Sequence, residues 1–297
     1  MKREFGFVIL NYLNYQDTIE LIKNLSSQLW FDQINLYVVD NNSYNNSAKQ
    51  IEKIQDTINF TFLRSKKNSG FAIGENIAFK KALEDGCKFI ASINNDTLID
   101  NKQVDFLDRI KKIYKRDQNI ALITVDIKNL DGMRQNPLQE KPPSIYKVII
   151  LKLFFWLYLH KLYYFLRVYL LHSIANMYVK NRDIIKSHKS IKPNLLISRY
   201  IYAAHGSFVF FTPSFFKYFS GHNEETFLFC EEFIRAEELM EKGLATWLEM
   251  DLSIVHKESK TIAMVAKTQK TKIIFLLKNM LKSCKIYAKI LKIRKLN

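Results

Sequence analysis

Asn94, Asn95 and Asp96 close the apolar run "FIASI" (89–93). Two amides and a carboxylate at the carboxyl end of a buried strand are poor core material but good oxygen ligands. Mg²⁺ and Mn²⁺ prefer oxygen donors, and often take one or two protein carboxylates while phosphate oxygens complete the shell. Asp96 is thus a candidate ligand for Mn²⁺ or Mg²⁺ carrying a diphosphate, and Asn94, with Asn95 beside it, a candidate partner for a ribose. On the triplet alone, a bland strand-end turn is an equal reading. Two further clusters raise the odds. Asn11 and Tyr12 follow "GFVIL", and Asp40, Asn41 and Asn42 follow "LYVV". Asp40 could accept from the imide N–H of a nucleobase that Asn11 holds and Tyr12 stacks on, with Asn42 in the same polar cluster. In "NSGFAIGEN" (68–76), Gly70 and Gly74 flank a helix start, where backbone can approach a ligand closely. Gly70, Phe71 and Asn76 complete the donor-side candidates. No glycine-lysine phosphate loop and no G-x-G-x-x-G occurs, which disfavours a P-loop or a dinucleotide site.

These residues need a frame that gathers strand ends. "FGFVILNY", "INLYVVDNNS", "FTFLRS" and "KFIASINND" read as strands. Between them "QDTIELIKNLSSQL", "SAKQIEKIQ" and "FAIGENIAFKKALEDG" carry helical spacing, the last ending at Gly86 as a C-cap. This βαβαβαβ order predicts an α/β fold with a mainly parallel central sheet, which binds ligands beyond the carboxyl ends of its strands.

The 297 residues can bury a large core, and 48% are hydrophobic. Lys and Arg number 45 against 29 acids, a net charge of +16 that calls for an anionic partner. Much of it lies where apolar residues are densest. From Lys141 to Arg182 there is no acid, and lysines break the aromatic stretch before it reaches the ~18–20 apolar residues a bilayer span needs. An amphipathic, interfacial element is expected there, with a subunit interface in a homo-oligomer as the alternative. The tail repeats the theme: Lys278, Lys282, Lys285, Lys289 and Lys292 fall on one helical stripe, with Ile274, Leu277, Leu281, Cys284 and Leu291 alongside. Basic residues set among apolar ones, with no groove-reading motif, argue against a nucleic-acid partner. Cys87, Cys230 and Cys284 show no disulfide or metal spacing. The N-terminal apolar run is too short for a signal peptide. Both point to a protein at the cytoplasmic face of the inner (plasma) membrane.

At this point "VILNYLNYQDTIELIKNL", "VVDNNS", "NSGFAIGEN", "INNDT" and "HGSFVFFTPSFFKYFSGHNEETFLFCEE" together resemble the family-two inverting glycosyltransferases of GT-A fold, rhamnosyltransferase-like and capsule or O-antigen transferases among them. The resemblance covers roughly residues 5–128 and 203–260. It implies a nucleotide diphosphate sugar as donor and a lipid-linked or growing glycan as acceptor. It puts Asn94-Asn95-Asp96 in the place of the metal-binding DXD motif. Glu231-Glu232 takes the place of the acidic pair whose second member is the usual base, and His256 that of a histidine at the metal or diphosphate. Phe233, Arg235 and Lys257-Glu258 depart from the pattern. Glu232 is the expected base and Glu231 the runner-up, because neighbours on a helix point apart. His205 and Gly206 are acceptor-side candidates, with a packed loop histidine as the competing reading of His205.

The expected division is a nucleotide-sugar half (1–140), a helical insertion (141–200), an acceptor half (201–262) and a basic C-terminal helix (263–297). A catalytically degenerate scaffold is the main rival. A nucleotidyltransferase is disfavoured, since "NYLNYQD" offers no basic signature loop.

Overall fold

A computed structural model describes residues 3–100, 102–159, 197–258 and 269–294. Nine strands among them share one sheet: β1 (Phe5–Asn11), β2 (Ile34–Asp40), β3 (Thr61–Arg64), β4 (Phe89–Asn94), β5 (Thr97–Ile99), β6 (Ile120–Lys128), β7 (Arg199–Ile201), β8 (Phe208–Phe211) and β9 (Ala245–His256). The order is β3-β2-β1-β4-β8-β6-β9-β5, with β7 also on β9. The first four strands are parallel, as the βα alternation predicts. The second half makes the sheet mixed, since β8 runs antiparallel to β4 and β6, and β5 and β7 run antiparallel to β9.

Strands β1 and β4 are buried on both faces, which is why they read as continuous apolar runs rather than alternating ones. Phe7 and Ile9 enter one core with Leu21 and Ile22 of α1 (Tyr15–Ser26), Ile51 of α2 (Ser47–Glu52) and Phe106 and Ile110 of α4 (Phe106–Arg116). Val8 points to the other core, with Ala78 and Phe79 of α3 (Phe71–Glu84). Gly86 follows α3 at φ 87°, a left-handed turn suited to glycine. The register positions the site: Asn11 pairs with Asp40 and Leu10 with Asn94, so the polar ends of β1, β2 and β4 fall on one rim. Thr97 pairs with His256 across β5 and β9, which brings the end of β9 beside Asp96.

Of the insertion, α5 (Ile145–Leu159) is described; the expectations for residues 160–180 and 263–268 lie outside the described residues. Helix α5 packs against the C-terminal helix Gln269–Arg294. The predicted lysine stripe is present, with all five lysines exposed. Its apolar flank is not free for a membrane. Leu281 and Cys284 pack on Phe155, and Leu291 and Tyr287 on Val148 and Ile234. Burying a large apolar side chain stabilises by about 1.5–3 kcal/mol, against about 1 kcal/mol for a lysine near an anionic surface. The interior contacts therefore win the apolar face, and the expected insertion of that face is corrected. The opposite side of α5, with Tyr146, Ile149, Ile150, Leu153 and Phe154, stays exposed. Among the described residues no helix is long and apolar enough to cross a membrane.

Candidate functional site

The carboxyl rim opens into a cavity of about 470 Å³. Its lining includes Tyr12, Gly70, Phe71, Asn94, Asn95, Asp96 and His256, all sequence candidates brought together from three strand ends and a helix start. Gly70 sits at φ 93°, and a Cβ there would collide with the Phe227 carbonyl. That carbonyl accepts the Phe71 N–H at 2.9 Å, so the two sides of the cavity meet at this glycine.

Other candidates support the rim without lining the cavity. Asn11 donates to Asp40 Oδ1 at 2.7 Å and accepts from Thr18 Oγ1 at 2.9 Å. Asp40 Oδ2 accepts the Ser43 N–H at 3.0 Å. With a hydrogen bond on each carboxylate oxygen, Asp40 together with Asn11 pins β1 to β2 at the rim. Asn42 is exposed at φ 58°. Asn76 is turned away as well, holding the His222 backbone (Nδ2 to O 2.9 Å, N to Oδ1 2.8 Å) and Glu224. Asn95 donates to Asn14 O and Thr18 Oγ1, which ties the triplet to the start of α1.

Asp96 and His256 form the polar end of the cavity. His256 Nε2 stands 3.2 Å from Asp96 Oδ1, and its Nδ1 lies 2.8 Å from Gln135 Oε1. The Gln135 amide nitrogen donates to Glu258, and a carboxylate can only accept, so Gln135 must present its oxygen to the ring. Nδ1 then carries the hydrogen, and in the neutral ring Nε2 is a lone pair aimed at a carboxylate. Two acceptors at that distance need a proton or a metal cation between them. Asp96 and His256 thus suit Mn²⁺ or Mg²⁺, with a diphosphate supplying the remaining oxygens. Among the described residues no third His, Cys, Asp or Glu joins them.

The acidic pair lies beside this pole. The helix Glu231–Glu241 begins with both glutamates in its first turn, where the helix dipole favours negative charge. The residues before it are left-handed, Phe229 at φ 75° and Cys230 at φ 66°. Such strain persists only where the surroundings over-determine the backbone, and the C-terminal helix does so. Ser283 Oγ donates to Leu228 O at 2.9 Å, Cys284 Sγ lies 3.9 Å from Cys230 Sγ, and Tyr287 meets Tyr202, which donates to Glu237 at 2.6 Å. Glu232 Oε1 rests on Gly206, where any Cβ would collide with it. The His205 ring lies 5.3 Å from the His256 ring, tilted by 59°, and its Nδ1 accepts the Ser207 N–H, so it links the pair to the metal pole as a packed, hydrogen-bonded ring. Burial pushes the His205 imidazole down, toward neutral. Burial, then the neighbouring Glu232 charge, push the Glu231 carboxyl up to about 7.

Sequence reasoning missed Asn41, Asn68, Phe227, Leu228, Glu258 and Phe275 in the lining. Asn41 and Asn68 carried a signal, being beside residues already chosen. Phe275 carried none, since it arrives from the C-terminal helix and meets Phe227 edge-on at 6.2 Å.

The profile of glycosyl transferase family 2 matches residues 7–176. No curated protein sequence matches the chain. Among solved structures, TarS 1-349 of S. aureus superposes with TM-score 0.53 at 12% identity, over 92% of this chain and 65% of that one. The mannosyltransferase PcManGT from Pyrobaculum calidifontis, solved with GDP-Man and Mn²⁺, gives 0.54 at 13%, over 99% and 75%. GalNAc-T7, solved with UDP, GalNAc and Mn²⁺, gives 0.55 at 11%, over 85% and 43%. The chain thus spans just under two thirds of TarS 1-349, and 41% of a longer TarS chain. At these identities the likeness establishes the fold, an α/β GT-A architecture.

Proposed function

The chain belongs to glycosyl transferase family 2, and from that premise we propose an inverting, metal-dependent transferase that moves a hexose or deoxyhexose from a nucleotide diphosphate sugar to a lipid-linked or growing surface-polysaccharide acceptor. The observation that carries this reading is the cavity, with an Asp96–His256 cation pole at one end and the Glu231–Glu232 pair beside it. The Mn²⁺ or GDP-Man and UDP found with the mannosyltransferase and GalNAc-T7 favour the same donor chemistry here.

A bound divalent cation would neutralise the departing diphosphate. Asp96 and His256 would hold that cation, Asn94 and Asn95 line the cavity next to them, and Tyr12 would offer its ring to the base. Glu232, lodged on Gly206, takes the proton of the acceptor hydroxyl as that oxygen attacks the anomeric carbon from the face opposite the leaving group, which inverts the centre. Glu231 is the more buried of the two, and that burial raises its carboxyl to about 7, so the base role goes to the less buried Glu232.

The surface-polysaccharide, rhamnosyltransferase-like part of the reading rests on the acceptor side being lipid-linked. In favour stand the exposed apolar side of α5 and the lysine edge of the C-terminal helix beside it, two segments without an acid. An anionic bilayer at the cytoplasmic face fits that combination. The test is nucleotide diphosphate release from a panel of nucleotide sugars, with a lipid-linked acceptor on anionic vesicles. Glu232→Gln should lower turnover ~10²–10⁴-fold with donor affinity kept. Full turnover in that variant removes the base assignment. An inert wild type that still binds nucleotide marks a degenerate scaffold. Protein that ignores vesicles at low salt makes the α5 face a subunit interface instead.

A further inference from the structure

Beneath the glutamate pair lies a second set of charged groups, sealed from solvent, that catalysis as derived above does not use. Arg235 sits one turn below Glu231 and Glu232 on the same helix and is buried. Its Nη2 is 2.7 Å from His222 Nδ1, and its guanidinium lies 4.8 Å from the centre of the Phe211 ring. On the far side, His222 Nε2 is 2.7 Å from Glu75 Oε2, and Glu75 accepts the Ser92 hydroxyl at 2.7 and 2.9 Å. Rings of Phe71, Phe79 and Phe211 pack around His222.

Hydrogen-bond chemistry fixes the polarity of this chain. A guanidinium only donates, so His222 Nδ1 must be the acceptor and its hydrogen sits on Nε2, the atom 2.7 Å from Glu75 Oε2. A second proton on the ring would set N–H against N–H, so His222 is a neutral bridge between one cation and one anion. Burial, which disfavours the charged imidazole, acts in the same direction. Burying a guanidinium is costly unless it is paired. Here the pairing runs through three elements that carry the site: Ser92 is two residues from Asn94 on β4, Glu75 is on α3 behind Gly70 and Phe71, and Arg235 is on the helix of the glutamates.

We propose that Arg235 is a positioning residue for the glutamate pair: clamped through His222 and Glu75 to the donor-side elements, it holds the helix start in register with the cavity and supplies the positive charge that lets one carboxylate of the pair ionise. The proposal rests on the reading of Glu231 and Glu232 as the acceptor-side acids. The charged and titratable groups facing them are Arg235 on their own helix, Cys230 at its start, His222 from the preceding loop and His205 beside Gly206. Arg235 is the permanent cation among these. Without it, burial and mutual repulsion would hold protons on both carboxyls to higher pH.

The test is ¹³C NMR titration of glutamate carboxyl carbons in the full chain, with Glu231 and Glu232 assigned from their Gln variants. Arg235→Met should raise the titration of the pair by about one pH unit or more. Arg235→Lys should restore it to within about 0.3 unit, because charge is kept while the fork is lost. Binding of UDP and of GDP with Mn²⁺, read by calorimetry, should change less than about twofold in both, since no cavity group is removed. A folded Arg235→Met with unmoved titration, or a lysine variant that fails to restore it, overturns the proposal. If neither arginine variant folds, His222→Asn, whose Oδ1 can still accept from Arg235, is compared with His222→Leu. The leucine variant alone should shift the pair, and equal behaviour of the two also overturns the proposal. Wild type that binds neither nucleotide defeats the donor reading, while the titration still decides the role of Arg235.

Discussion

The two walls of the cavity are assembled from the chain in different ways. The donor wall takes Tyr12, Asn41, Asn68, Gly70 and Asn94–Asp96 in order from the first third, each at or just beyond a strand end. Parallel pairing in register does the gathering: the strands place Tyr12, Asn41 and Asn94–Asp96, and Asn41 in turn donates to Asn68 and Gly70. The acceptor wall takes Phe227 and Leu228 from a loop that ends in two left-handed residues, with the glutamates on the helix start that follows, and Phe275 from a helix near the end of the chain. There the positioning comes from afar: Ser283 holds Leu228 across 55 positions, and Phe275 braces Phe227. A wall built on strand ends should tolerate loss of one side chain without moving. A wall built on a buttress should move when the buttress is touched.

The largest expected effect is on the donor wall. Asp96→Ala should lower kcat/KM by ~10³–10⁴-fold, since cation-assisted charge stabilisation is worth several kcal/mol. Thermal stability should stay close to wild type, because a strand-end carboxylate adds little to the core. Calorimetry with UDP or GDP, with and without Mn²⁺, reads the first claim and a melting curve the second. Nucleotide binding that needs no metal and survives the substitution would sink the assignment. A collapse in stability would break the contrast between the walls.

A smaller effect is expected at the acceptor wall, and it depends on pH. The Glu231 carboxyl titrates near 7 in the fold, against 4.5 in the unfolded chain. Between those values the folded state holds a proton that the unfolded state has lost, so this group's contribution is fully present below the unfolded value and is lost as pH rises through 7. Glu231→Gln removes that loss. It should leave stability unchanged at pH 4 and raise it by up to about 3 kcal/mol at pH 8, at 1.36 kcal/mol per unit. Denaturant midpoints of both proteins at the two pH values settle it, and a variant no more stable at pH 8 contradicts the buried, crowded environment of the pair.

The smallest effect sharpens the buttress idea. Phe275→Ala removes one half-buried ring from the lining and should weaken nucleotide-sugar binding about tenfold, near 1.4 kcal/mol. Removing residues 269–297 should cost far more, because Leu228, Cys230 and Ile234 all lose their partners. If the truncated chain binds nucleotide normally and loses only its affinity for vesicles, the C-terminal helix is an anchor and not part of the wall.

The first seven strands and helices, from β1 through β4, could be read directly from the chain. Apolar runs of strand length alternate there with helical spacing, and each polar strand end announces itself by interrupting a hydrophobic run. Tyr12, Gly70, Phe71, Asn94, Asn95, Asp96 and His256 were found this way or through the family likeness, and all line the cavity. The lysine stripe was legible too. Its setting was not, since the same spacing serves a helix lying on a membrane and a helix packed on α5. Gln135 carried no mark either. It matters only because the pairing of β5 with β9 delivers His256 to its amide.

What the sequence by itself determined is therefore periodicity and chemical type: which segments form strands and helices, which faces are apolar, and which strand ends carry ligands. These follow from interactions within a few residues and from the burial of apolar surface, which has no preferred partner. The tertiary structure alone decided partners. It turned Asn11 and Asp40 toward each other, set Arg235 against His222 and Glu75, and placed Phe275 in the cavity. Hydrogen bonds and ion pairs are short-ranged and directional, so a polar side chain acquires its role only when folding brings a distant donor, acceptor or charge within about 3 Å.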